Sequence, residues 1–462
     1  MLTAVLISIR TGLPTMIDPV LLWAVLIGVS VLLVLILYFK IQAFLSLLIS
    51  SISVGLVAGM PVREILLSIQ QGMASTLGFI AIVVGLGAML GAILENSGGV
   101  QALATFVLRR AGEKNASWAL MITGFLVSIP VFFDVGVVLL IPIVYALQKN
   151  TGKSLLYYGM PLLAGLAVTH AFIPPTPGPV AVADILGADL GWVILFGFLA
   201  GIPAAVISGP VFGKFIAKRI MVTAPESYMD PPSDRKLPSV QMVAALLGLP
   251  LILILLNTFS QTLVNKSAFS PVVLEVLAFV GHPFTALIIA NLLAWYLLGI
   301  RRGYTKQELL DVSTQSLGPA GVIILITGAG GVFKEILTQT GAGLMLANYL
   351  MEVGFAPIIF GYIASALIRL LQGSSTVAMI TSAGMTAAVL EGIDYTDFQK
   401  AALVIAIAAG ASIYSHVNDS GFWLVSKYFG MEETQTLRSW SVMTTLLSVV
   451  GFGVSLILWV IL

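Results

Sequence analysis

Residues 167–179 read AVTHAFIPPTPGP, and no continuous helix runs through that segment. Four prolines, Pro174, Pro175, Pro177 and Pro179, fall within six residues, with Gly178 among them. Each proline removes a backbone donor, and past a first helical turn its ring clashes with the carbonyl four residues back. The flanking runs are long and apolar. At membrane depth, irregular backbone survives only where protein buries it or where it lines a watery cavity. A second interruption, SHVNDSGFW at 415–423, stands in the other half of the chain. Paired interruptions at matching positions point to the substrate site of a secondary transporter.

The rest of the chain fits a membrane setting. Charged residues make up 9% of 462, against about 25% in soluble proteins. Mean hydropathy is +1.05, and apolar runs near the spanning length of about 20 residues recur from Pro19 to Leu462. These runs are apolar all round, so a β-barrel, which alternates, is excluded. The chain reads as an all-α polytopic membrane protein. Cysteine is absent, which removes disulfides, thiolate nucleophiles and cysteine metal sites. No metal site and no cofactor are expected, and a net charge of +1 without a basic cluster gives no reason to expect nucleic acid. The start of the chain lacks a basic segment ahead of an apolar core, so residues 1–18 read as an N-terminal extension, not a cleaved signal.

The stretch 218–239, rich in charge and proline, reads as a cytoplasmic connecting loop between a first repeat, 19–217, and a second, 240–462. Sliding the sequence by 243 aligns 62–112 with 305–355 without a gap and gives 11 identities. The matches include Gly78 with Gly321, Gly85 with Gly328, Gly87 with Gly330 and Gly98 with Gly341. Placing 39–42 and 218–239 in the cytoplasm puts 16 of the 22 Lys and Arg inside, and such a bias sets orientation. The amphipathic piece 99–112 then faces the cytoplasm and its counterpart 342–354 the exterior. This predicts inverted-topology repeats, with re-entrant hairpins over 116–147 and 355–390. Each hairpin has a polar break near its middle, FFDVG at 132–136 and QGSSTV at 372–377.

Several side chains are candidates for chemistry. Asp134 is an acid within an apolar segment, where a carboxylate costs about 2.5–3.5 kcal/mol to insert; it reads as an ion-coupling or substrate group, or as a structural partner. Arg369 lies too deep in its segment to snorkel easily, and its planar guanidinium suits a carboxylate. It reads as a substrate contact or as half of a fixed ion pair, with Asp134 at the equivalent break as the candidate partner. Ser374, Ser375 and Thr376 follow Gly373 where a half-helix can begin and offer its positive end to an anion, or else they are small residues for close packing. His170 and His416 each precede an interruption and are candidate proton relays or satisfied hydrogen-bonders. Asn418 and Asp419 suit a hydroxylated substrate or a coupling cation, and Thr176 is a candidate neutral contact. TGKS at 151–154 lacks the first glycine of a phosphate loop, and the paired glycines 85/87 and 328/330 read as helix-packing positions.

These motifs resemble the gluconate permease family of gluconate:proton symporters. The resemblance is carried by GLGAMLGAILENSGG (85–99), FFDVGVVLLIPIV (132–144), THAFIPPTPGPVA (169–181), RLLQGSSTVAMITSAG (369–384) and SHVNDSGFWL (415–424). It implies import of a sugar acid with protons, sodium being the alternative ion, by a multi-pass protein of the bacterial inner membrane, usually a homodimer. Many relatives carry histidine where Thr176 stands, so no role of that histidine transfers. Others carry proline at the position of Ser420. D-serine or glycerate is the alternative substrate within the family. A membrane-embedded enzyme is the alternative class, and no catalytic motif supports it.

Overall fold

The computed structural model describes residues 18–224, 237–262, 271–343, 345, 349, 356–390, 394–416 and 419–462. Among them every regular element is helical. The first half runs α1 (Pro19–Leu37), α2 (Ala43–Val57), α3 (Val62–Asn96), α4 (Gly99–Ala111), α5 (Ala116–Val127), α6 (Phe133–Thr151), α7 (Leu155–Phe172), α8 (Pro177–Leu186) and α9 (Leu190–Val206). A π segment, Ile207–Val211, prolongs α9 to Ile216. The second half runs α10 (Val240–Thr262), α11 (Pro271–Val280), α12 (Pro283–Ala294), α13 (Lys306–Gln339), α14 (Pro357–Gln372), α15 (Ser375–Val389), α16 (Asp397–Gly410), α17 (Ser420–Phe429) and α18 (Val442–Ile461). Of the expected connecting loop, 225–236 lies outside the described residues, as do 1–17 and most of 342–354.

Nine helical stretches among the described residues are long and apolar enough to cross a membrane. Their polar ends carry the caps. Asp18 accepts the Val20 amide at 2.8 Å ahead of α1, and capping boxes built on Thr305/Glu308 and Thr396/Gln399 open α13 and α16. Other helices are too short to cross. At 1.5 Å per residue, α5 with 12 residues, α15 with 15 and α14 with 16 reach only about 18–24 Å, against a hydrocarbon core of about 30 Å. They supply one arm of the first hairpin expected from sequence and both arms of the second; the other arm of the first, α6 with 19 residues, is among the nine long enough to cross. The first hairpin turns at Ser128–Phe132, slightly earlier than FFDVG, so Asp134 falls in the first turn of α6. The second turns at Gly373 and Ser374.

The long helices α3 and α13 pack along each other. A Cβ on Gly72 would stand 2.7 Å from the Val332 Cα, while one on Gly85 would meet Leu317 at 3.8 Å. As residue numbers rise on one helix they fall on the other, so the two run antiparallel. At the contact one backbone rests on the other, which only small residues permit. Both helices end alike, with Gly98 at φ 76° and Gly341 at φ 71° in the left-handed region that favours glycine. These two glycines are a pair matched by the 243-residue shift. The helices at the centre, α7, α8 and α16, are buried almost throughout, whereas α1, α11 and α12 leave large apolar side chains such as Trp23, Phe279 and Leu292 exposed.

Candidate functional site

Five helix ends meet at one cavity of about 610 Å³. Three are N-termini: α6 brings Phe133 and Asp134, α15 brings Ser375 and Thr376, and α17 brings Ser420 and Gly421. The first amides of a helix lack intrahelical acceptors and carry the positive end of its dipole. Two are C-terminal ends: α7 contributes His170 and Ala171, and α14 contributes Arg369 and Gln372. Pro319 and Ile323 of α13, with Trp440, Thr444 and Leu447 around α18, complete the wall.

Asp419 organises the polar side. It caps α17 by accepting the Gly421 amide at 3.0 Å. Its other carboxylate oxygen accepts from the Arg369 guanidinium and from the Ser415 hydroxyl. Ser415 in turn accepts the Trp440 indole N–H at 2.6 Å, and its backbone amide donates to Thr444 at 3.0 Å. Arg369, 6% exposed, also donates to the Gly373 carbonyl, which closes the hairpin tip. Its Nε is buried and has no partner among the described residues. Ser374 caps α15, accepting the Val377 amide at 3.4 Å, while the Gln372 side chain accepts the Ser374 amide at 3.0 Å. Asp134 faces the same space, and the negative charge of Asp419 acts on it.

The structure brings together Asp134, His170, Arg369, Ser374, Ser375, Thr376 and Asp419. The structure places three of the expected residues apart from that arrangement or in another pairing. Arg369 pairs with Asp419 and not with Asp134, because Asp419 sits at the head of α17 beside the tip of the second hairpin. Thr176 is buried outside the cavity, its hydroxyl donating to the Ile173 carbonyl at 2.6 Å. His416 lies off the cavity wall, with Nε2 2.9 Å from the Leu370 carbonyl. Asn418 lies outside the described residues. His170 is half-buried, its ring edge-on to Phe132 with centroids 6.1 Å apart, and its buried Nδ1 has no partner among the described residues. The sequence reading missed Ser412, Trp440 and Thr444, which lie in runs where nothing local marks the inward face. The glycines read as packing positions do pack: a Cβ at Gly87 would meet the Pro175 carbonyl oxygen at 3.4 Å, and Gly330 lies against Ile380.

Interrupted helices, short hairpin arms and a polar cavity at their meeting point define a multi-pass membrane transporter. The family model for GntP family permeases matches residues 20–461, and the chain belongs to that family. It is 39% identical over 431 residues to the low-affinity gluconate transporter of Escherichia coli K12, covering 93% of this chain and 96% of that one. The Gnt-II system L-idonate transporter of the same organism is 39% identical over 426 residues, covering 92% and 95%. The gluconate permease of Bacillus subtilis is 37% identical over 446 residues, covering 94% and 98%. Among solved structures, the YdaH transporter of Alcanivorax borkumensis aligns with a TM-score of 0.61 at 18% identity, covering 86% of this chain and 88% of that one. That likeness concerns the fold alone.

Proposed function

We propose that this protein is a secondary active symporter importing gluconate, or a closely related small hydroxy-carboxylate, with protons across the bacterial inner membrane. The charge balance of the cavity carries this reading. Two acids, Asp134 and Asp419, and one guanidinium, Arg369, are the formally charged groups among its described lining residues. With both acids ionised they sum to −1. A monoanionic substrate takes the site to −2 in surroundings of low dielectric, where like charges repel strongly. Protonation of one acid as the substrate enters restores −1. Each ligand then favours the other, which is the coupling a symporter needs.

The neutral lining supports the substrate class. Ser374, Ser375, Thr376, Ser420 and Gln372 offer donors and acceptors to several hydroxyls, and the Arg369 guanidinium among helix N-termini suits a carboxylate. The volume lies within the range of about 300–1,000 Å³ for small-ligand sites. It favours a six-carbon acid over D-serine or glycerate. The gluconate and L-idonate relatives support the same choice.

The test is uptake of labelled gluconate by proteoliposomes. Accumulation is expected under an imposed pH gradient and is abolished by a protonophore. Accumulation that follows a sodium gradient alone would remove the proton from the reading. The antiparallel α3 and α13 also support inverted repeats. Arg110→Cys and Gln339→Cys replace exposed residues in a chain without cysteine. An impermeant thiol reagent added outside is expected to label position 339 and to spare position 110. Labelling of both from one side would reject the opposed topology.

A further inference from the structure

A second polar cavity, of about 280 Å³, lies at the end of α8 and shares no lining residue with the first. Its walls carry Asp184 of α8, Asp189 in the turn before α9, Asn257 and Thr258 of α10, and His282 ahead of α12. Two of its titratable groups are already committed. Asp189 accepts the Gly191 and Trp192 amides at 2.9 and 3.0 Å and the Thr258 hydroxyl at 2.9 Å. His282 Nδ1 accepts the Phe284 amide at 3.3 Å and so serves as a helix cap.

Asp184 is placed differently. Among the described residues no donor hydrogen-bonds its carboxylate. The ammonium of Lys334, from α13, acts on it electrostatically and donates to the neighbouring Ile185 carbonyl at 2.7 Å. The helices α3, α15 and α16 also pack on α8, yet none of them lends a charged side chain to this cavity. An ionisable side chain at membrane depth is expensive and points to function. A half-buried acid in a polar cavity, facing one cation and bound by no donor, is able to exchange a proton with water.

The two cavities are linked through the same helices. Asp184 is the eighth residue of α8, so about 10 Å of helix rise separates it from Pro177 at the proline break. Lys334 lies on α13, which also sends Pro319 and Ile323 into the first cavity. Gly178 near the head of α8 leaves no room for a Cβ against Met379 of α15, whose first turn lines that cavity.

We propose that the second cavity is a proton site, with Asp184 as the acceptor and Lys334 as its counter-ion. This deepens the reading of proton-coupled import and rests on it. A proton from water adds to the ionised carboxylate and leaves a neutral acid. Lys334 then loses the attraction of Asp184 and keeps its bond to the Ile185 carbonyl. Loss of the proton restores the attraction. Asp134 lies where the substrate binds, whereas Asp184 takes its proton away from the substrate.

The test compares wild type, Asp184→Asn and the double variant Asp184→Asn/Lys334→Met in proteoliposomes. Three quantities are read: the gluconate-induced thermal shift, gluconate counterflow, and accumulation under an imposed pH gradient. Both variants are expected to keep thermal shift and counterflow within about threefold, while accumulation falls at least tenfold. If the pair only holds helices together, the double variant accumulates like wild type, and the proposal is overturned. The double variant alone decides where the single one is not recovered from the membrane. Failure of the wild type to accumulate gluconate under a pH gradient overturns the import reading itself, and this inference with it. That result is distinct from accumulation shared by wild type and double variant.

Discussion

Between α7 and α8 the chain crosses its break in four residues, Ile173–Thr176, all of them buried. Between α16 and α17 it takes nine, from Ala411 to Asp419, and part of that stretch faces the 610 Å³ cavity. The difference follows from donors. Pro174, Pro175 and Pro177 have no N–H to satisfy, and the Ile173 and Thr176 amides bond locally to Thr169 and Ile173 at 3.0 and 3.4 Å. A break made of prolines has few donors left to satisfy and can be buried without water. The second break keeps its polar groups and spends them on Arg369, Trp440 and Thr444. One interruption is a packed joint, and the other builds the polar side of the site.

The strongest way to break this contrast is to unpair the second joint. Arg369→Ala or Asp419→Ala leaves a buried charge alone, which costs about 3–5 kcal/mol, and uptake is expected to vanish. The double variant Arg369→Met/Asp419→Leu should regain most of the thermal stability in detergent yet still not transport. Uptake by that double variant would make the second break a packed joint like the first.

An intermediate effect is expected at the first hairpin tip. Asp134→Asn should lower concentrative uptake by roughly tenfold, equivalent to about 1.4 kcal/mol of coupling, while counterflow persists. Normal accumulation against a gradient would assign Asp134 to structure. The smallest effect concerns the proline break. Thr176→Val removes one buried hydrogen bond, worth about 1 kcal/mol of stability, and should leave gluconate affinity, read by thermal shift, unchanged. A clear loss of affinity would return the first break to the binding site.

The sequence already showed where helices stop. Prolines, the Gly373–Thr376 run and the matched Gly98 and Gly341 all act through local backbone chemistry, which a sequence displays directly. It also marked Asp134 and Arg369, because ionisable groups stand out in an apolar run. It did not show which side of a break faces the cavity, whose wall includes neither Thr176 nor His416. Nor did it pair Arg369 with Asp419, 50 residues away. Such pairings depend on how whole helices are set against each other. Trp440 was hidden for the same reason: inside a protein, the face of an apolar helix that lines a cavity reads like any other. Ser412 lies just past the end of α16, ahead of the segment 415–423 that the sequence marks as interrupted.

The Arg369–Asp419 pair at the tip of the second hairpin has an electrical consequence. A potential of 100 mV is worth about 2.3 kcal/mol per elementary charge that crosses it. The charges of the pair sum to zero, so a movement of the tip that keeps the pair together carries no net charge through that potential, whereas a movement that parts it does.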